Sequence, residues 1–193
     1  MAKRELKSEA EMPLATDIEK RDVNQSPEPK SSRIKSKKGL QFVIQRHQSS
    51  HLHYDFRLEM DGVLKSWAIP KGPSLNPKDK RLAVMVEDHP YNYRTFEGQI
   101  PEGNYGAGNV YIFDAGAYEA LNQDHKNDEK ELLKQLAEGN LKFRLKGNII
   151  KGEFTLLKLK NTKTNWLLIK IKDDDALNQF DIEQLIPKEI AHK

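Results

Sequence analysis

His47, His53, Asp55 and Arg57 fall within eleven residues, HQSSHLHYDFR, the densest run of chemically capable side chains in the sequence. Read as a strand, the second half of this run has a period of two. His53, Asp55 and Arg57 share one face, and Leu52, Tyr54, Phe56 and Leu58 share the other. A half-buried strand sets its apolar face against a core. The other face then carries an imidazole, a carboxylate and a guanidinium in line, about 6.5–7 Å apart. Imidazole and carboxylate can hold a divalent metal, and a guanidinium can hold an anion; a phosphate satisfies both. Of six histidines, His47, His51, His53 and His89 lie between positions 47 and 89, so one cluster accounts for most of the imidazole.

The candidate metal ligands are His47, His53 and Asp55, with Arg57, His89 and Tyr93 as side chains able to join them. Two imidazoles and one carboxylate leave positions open for water and substrate, and the donor set suits Mn, Zn or Fe(II). His51 competes for a ligand role. It shares a face with His53 if the strand begins early, whereas Ser49-Ser50 places it in a loop. His47 is preferred because the preceding strand can return it to the site. Pro101–Asn109, PEGNYGAGN, could cradle a phosphate through backbone N–H groups, but it lacks a GK[ST] ending and reads better as a tight structural turn. Trp67 reads as core, and Tyr93 as either packing or a phenol hydrogen bond.

The elements that must position these groups are mostly strands. QFVIQRH from Gln41 and Leu52–Met60 come first, and Asp61-Gly62 is a two-residue hairpin signal leading back through Val63–Ile69. Pro70-Lys71-Gly72-Pro73 and Asn76-Pro77 mark a long turn. Further strands are expected at Arg81–Glu87, Asn109–Asp114, Leu141–Lys146, Ile149–Lys160 and Asn165–Lys172. A helix is expected at Glu129–Glu138, within an insertion, and a short one near Ile182–Ile186. Many closely spaced strands with one main helix predict a mainly β protein, a small antiparallel β-barrel.

The barrel is expected over residues 40–172, between an N-terminal arm (1–39) and a C-terminal tail (173–193). The arm is charged and carries Lys30, Arg33, Lys35, Lys37 and Lys38 as a basic run without acids. Such a run is either a solvated linker or a contact to a phosphate backbone. With 37% hydrophobic and 32% charged residues the 193-residue chain suits one domain with unpacked segments. The absence of cysteine excludes disulfides, thiolate ligands and cysteine nucleophiles, so a metal here must take N and O donors. The N-terminus lacks the apolar run of a signal peptide and no stretch approaches membrane-spanning length, so a cytoplasmic, membrane-free monomer is expected.

FVIQRHQSSHLHYDFRLEMDGVLKSWAIPKGPS and RLAVMVEDHPYNYRTFEGQIPEGNYGAGNVYIFDAG, with KRDVNQSPEP upstream, resemble the 3′-phosphoesterase module of bacterial DNA ligase D in a stand-alone form. The resemblance runs from about Asp17 to Lys172. It implies a small β-barrel enzyme, usually manganese-dependent with zinc or another transition metal as alternatives, acting in DNA repair and non-homologous end joining. Its substrate would be a DNA primer-template. The family trims a 3′-terminal ribonucleoside to leave a 3′-phosphate, then removes that phosphate to leave a 3′-hydroxyl. Any ligase or polymerase partner would be a separate polypeptide. By position, His47, His53 and Asp55 correspond to the metal ligands, and Arg57, His89 and Tyr93 to phosphate-contacting residues. Arg21, Asp22 and Glu28 in the arm match positions that support activity, as do Gln45, Lys71 and Arg81 in the barrel, which the resemblance assigns to the substrate. Position 51, often basic in the family, is His here and takes no ligand role.

Two rival readings stand beside this one. A non-catalytic nucleic-acid-binding barrel would use the same His and Arg side chains on phosphates and need no metal. An Fe(II) oxygenase would use two His and one carboxylate, with Arg57 on a carboxylate cosubstrate, but the sequence carries no separate sign of a cosubstrate pocket.

Overall fold

The computed structural model describes Pro29, residues 39–122 and residues 127–191. The expected arm, with Arg21, Asp22, Glu28 and the basic run, lies outside the described residues apart from Pro29 and Gly39.

The strands are β1 (Gln41–Gln48), β2 (Leu52–Met60), β3 (Val63–Ile69), β4 (Lys80–Pro90), β5 (Gly98–Ile100), β6 (Gly108–Ala120), β7 (Asn140–Lys146), β8 (Lys151–Lys158) and β9 (Asn165–Lys170). They follow the order β1-β2-β3-β4-β9-β8-β7-β6, and β6 returns to pair with β1. Every pairing is antiparallel, so eight strands close a barrel and the short β5 lies on the edge of β6 outside the ring. The expected mainly β architecture holds.

The apolar phase of each strand fills the barrel. Phe42, Ile44, Tyr54, Phe56, Leu58, Trp67 and Met85 belong to one buried cluster with Phe143, Phe154 and Trp166 from the far wall. Phe56 and Phe143 stack with centroids 5.9 Å apart, and Trp67 meets Trp166 edge-on at 5.9 Å.

Each end of the barrel has its own stopper. Helix α1 (Asp128–Glu138) buries Leu132 and Leu136, one turn apart, and carries Asp128, Glu129 and Glu131 in its first turn, where the helix dipole favours acids. Gly139, at φ +77°, ends it. Glu129 Oε1 accepts from the Asp61 backbone N–H at 2.9 Å, which fixes α1 over the β2–β3 turn. That turn has positive φ at both Asp61 (53°) and Gly62 (73°), the two-residue geometry that Asp-Gly favours.

At the opposite end of β2 sits the C-terminal segment. The short helix expected near Ile182–Ile186 is a 3₁₀ turn, Ile182–Leu185, followed by the four-residue helix α2 (Lys188–Ala191). Ile182 joins the main core, and Tyr54 Oη donates to Glu183 Oε1 at 2.6 Å. A Cβ on Gly72 would lie 2.9 Å from both the Ile182 and Tyr54 side chains. This segment is a packed plug.

Candidate metal centre

The face turned away from the barrel core carries the chemistry. Cross-strand partners share a face, and the rows His47–His53, Gln45–Asp55–Ala68–Val84 and Val43–Arg57–Ser66–Val86 all lie opposite the apolar phase of β1 to β4. Between β3 and β4 the register shifts. Leu64 and Ser66 face His89 and Val86, so β4 spends three steps where β3 spends two. That extra residue reverses the alternation of β4 and brings His89, instead of Asp88, onto the face of Val86. Asp88 pairs with Lys65 at 2.8 Å.

A half-buried strand with an open polar face was expected; the structure corrects this. Arg57 is 2% exposed and Asp55 7%. A roof covers the face: the 3₁₀ turn Tyr91–Thr95, then β5, then the 101–107 loop. A second small core of Leu64, Tyr91, Tyr93, Phe96, Ile100 and Val110 seals roof to sheet.

One nitrogen of each ligand histidine is committed to a carbonyl. His47 Nε2 donates to Gly106 O at 2.8 Å, and His53 Nδ1 donates to His51 O at 2.9 Å. A carbonyl only accepts, so each ring must carry its proton there. The remaining nitrogens, His47 Nδ1 and His53 Nε2, turn toward Asp55 Oδ2 and Oδ1 at 3.3 and 3.6 Å. One potential ligand atom from each of the three residues lies within 4.8 Å of the others. Backbone carbonyls that orient metal-binding imidazoles are the usual support of such sites.

Burial pushes the Asp55 carboxyl up, but Arg57, with its NH2 at 3.0 Å, and the two imidazoles outweigh it and hold the group well below the usual carboxylate range. Asp55 is therefore a charged ligand at neutral pH. Two orientable imidazoles and an ionised carboxylate, converging from neighbouring strands, fit a divalent cation.

Arg57 is fixed by three hydrogen bonds: Nε to Gln45 Oε1 (2.8 Å), NH1 to Ser66 Oγ (3.0 Å) and NH2 to Asp55 Oδ2 (3.0 Å). The Tyr93 ring lies 4.8 Å from the guanidinium carbon. His89 donates from Nδ1 to Glu87 O at 2.9 Å and meets Tyr93 edge-on at 5.1 Å. A pocket is lined by His47, His53, Asp55, Arg57, His89 and Tyr93, with Ser49, Ala68, Val86, Glu87, Ile100, Tyr105 and Gly106 around them. Of the two roles the sequence left open to Tyr93, the structure shows packing: its ring lies against His89, Phe96 and the Arg57 guanidinium and forms pocket wall.

The other expected substrate residues lie elsewhere. Gln45 is fully buried; its Nε2 donates to Tyr93 O (3.2 Å) and Phe96 O (2.9 Å) and its Oε1 holds Arg57. Lys71 is exposed just past β3. Arg81, at the start of β4, pairs with Asp79 at 2.9 Å and is not in the pocket lining. His51 is exposed and contributes its carbonyl. Ser66 and Glu87 were not singled out from the sequence, and Tyr105 and Gly106 only as part of the Pro101–Asn109 stretch weighed as a phosphate cradle or a tight turn. The Asp-Gly turn alone pairs Arg57 with Ser66, so that contact was readable; the Gly106 and Tyr105 contacts join segments too far apart in sequence for any local signal.

A family model described as "DNA Ligase D 3'-phosphoesterase domain" matches residues 45–158. A multifunctional non-homologous end joining protein LigD from Pseudomonas aeruginosa is 47% identical over 176 residues, covering 88% of this chain and 20% of that protein. LigD proteins of Mycobacterium tuberculosis and Mycolicibacterium smegmatis are 38% and 37% identical, covering 89% and 91% of this chain and 21% and 23% of their own. The chain thus spans about a fifth of the length of these relatives.

Proposed function

The chain belongs to the DNA ligase D 3′-phosphoesterase domain family, and from that premise we propose that it heals DNA 3′ ends, removing a 3′-terminal ribonucleoside and then the 3′-phosphate left behind. The observation that carries this reading is the meeting of three metal-ligand atoms with a fixed guanidinium in one pocket.

His47 Nδ1, His53 Nε2 and an Asp55 oxygen would hold the cation, with manganese as the expected ion. A bound divalent ion supplies Lewis-acid stabilisation of phosphate charge and lowers the pKa of a bound water. Arg57 binds the phosphate. A guanidinium has five N–H donors, and three are already placed, so two remain for phosphate oxygens. Because its plane is set by Gln45, Ser66, Asp55 and the Tyr93 ring, little ordering is left to do when substrate arrives. His89, whose Nδ1 donates to Glu87 O, lines the pocket and would contact the phosphate or the leaving oxygen.

Gln45 serves the substrate through Arg57 and through the roof. Lys71 and Arg81 bind the DNA strand beyond the pocket, and Arg21, Asp22 and Glu28 of the arm complete the diesterase site. The relatives are end joining proteins, which supports a role in the same pathway here, alongside ligase and polymerase components.

The test incubates the protein with manganese and a primer-template ending in one ribonucleotide, with an all-DNA primer as control, and resolves products by 3′-end chemistry. A 3′-phosphate followed by a 3′-hydroxyl is expected from the ribonucleotide primer alone. Binding without turnover at any metal concentration would instead favour the non-catalytic barrel.

A further inference from the structure

We infer that the cavity between the end of the barrel and the C-terminal plug is a binding site for a short aliphatic carboxylate, with Arg46 as its anion-binding group. The site lies apart from the phosphoesterase pocket, and the inference stands whether or not that reading holds.

Successive residues of a strand face opposite ways, so His47 joins the metal site while Arg46 turns to the barrel side of β1. There it shares a cross-strand row with Tyr54 of β2 and Tyr111 of β6. The C-terminal segment meets this row and leaves a cavity of about 120 Å³. Ile112 and Phe113 of β6, Ile149, Ile186, Pro187 and Ile190 line it with hydrocarbon, while Arg46 and Tyr111 bring the polar side chains.

An arginine in such surroundings should be fully paired, and Arg46 is not. It is 4% exposed. Its Nη2 donates to Glu183 Oε2 at 3.3 Å, a carboxylate that is 44% exposed and shared with the Tyr54 hydroxyl. Its Nε and Nη1 are buried and have no hydrogen-bond partner among the described residues. Unmet donors on a buried cation are costly, so the site is built for an acceptor that the described chain does not provide.

The lining says which acceptor. Water fits poorly, since it needs about two to four polar partners and most of this wall is hydrocarbon. Phosphate would leave most of its oxygens against aliphatic side chains. A carboxylate makes strong charge-assisted hydrogen bonds to a guanidinium, and its alkyl body gains by leaving water for the wall. Volume sets the size. A cavity of about 150 Å³ holds benzene, so this one suits a chain of about five carbons.

The test titrates isovalerate into the manganese-loaded chain by calorimetry. Saturable binding is expected, tightening about fourfold per carbon from acetate to isovalerate. Isovaleramide and inorganic phosphate should each bind about tenfold more weakly or worse. Arg46→Met, which keeps side-chain length without the charge, and Ile190→Trp, which fills the cavity from α2, should both weaken isovalerate binding about tenfold or more while keeping the wild-type circular dichroism. If Arg46→Met does not fold, Ile190→Trp decides. Arg57→Ala should keep the wild-type affinity, which separates this site from the phosphate pocket. No saturable binding to the wild type, equal affinity for the amide, or a loss in Arg57→Ala instead of Arg46→Met would each overturn the site. A chain that binds isovalerate yet processes no primer would sink the phosphoesterase reading and leave this inference standing.

Discussion

Asp55 answers to two demands at once: it must be negative to hold a cation, and it must be buried to share that cation with two imidazoles. Arg57 reconciles them by keeping the carboxyl ionised, and the same guanidinium lines the pocket proposed to take the phosphate. This double duty makes the single substitutions informative. Asp55→Asn removes the charged ligand and strands Arg57, so manganese binding by calorimetry and both esterase activities should vanish; His53→Ala should lose the same two signals. Arg57→Ala should still bind manganese, because the three ligands stay and a repelling charge leaves. Its kcat should fall about 10²–10³-fold, the usual cost of one transition-state donor. Arg57→Lys should not restore it, since one ammonium cannot satisfy Gln45, Ser66 and Asp55 and also clamp a phosphate.

At the scale of elements, the sheet supplies ligands and the roof makes them a site. Gln45 is the rivet between the two, with its amide N–H groups on Tyr93 O and Phe96 O and its oxygen on Arg57. Gln45→Ala should therefore cost about 2–3 kcal/mol, from buried carbonyls left unpaired. In a chain of this size that lowers Tm by about 5–10 °C, and turnover should fall with it because Arg57 loses a guide. Gln45→Glu should be worse than Ala in both assays, since a carboxylate cannot donate to two carbonyls; an equal or milder effect would detach the roof from the rivet. The β2–β3 ribbon was legible in the sequence because a two-residue Asp-Gly turn fixes the register: once Met60 pairs Val63, Asp55 must pair Ala68 and Arg57 must pair Ser66. The roof was not legible. Its residues pack on the sheet through long-range contacts, and the bulge that swings His89 into place leaves no periodic mark in β4.

On the scale of the whole molecule, the barrel must be stoppered at both ends before one of its outer faces can serve as a rigid wall. The C-terminal segment read as a tail because it is polar and lacks period; one buried side chain, Ile182, and a polar knot at its root make it a plug. The knot is centred on Lys170, whose side chain is fully buried at the end of β9. Its ammonium donates to Glu153 O (3.3 Å), Ile171 O (3.0 Å) and the Asp173 carboxylate, and lies over the Phe154 ring at 5.2 Å. Asp173 also accepts the backbone N–H groups of Glu153 (2.6 Å) and Asp175 (3.0 Å). Partial burial pushes the Asp173 carboxyl up, but the Lys170 hydrogen bond and charge and these two N–H groups pull it below the ordinary value. A carboxyl lowered on folding stabilises the folded state at every pH above its unfolded value near 3.9, and that contribution disappears as pH falls through the folded value. Asp173→Asn should thus lower Tm at pH 7, where a buried ammonium is left without its counter-ion, by an amount equivalent to about 1–3 kcal/mol. The gap from wild type should narrow as the pH is taken below ~4, because the wild-type carboxyl then loses its charge too. A gap that stays constant across that range would mean the knot acts through its hydrogen bonds alone.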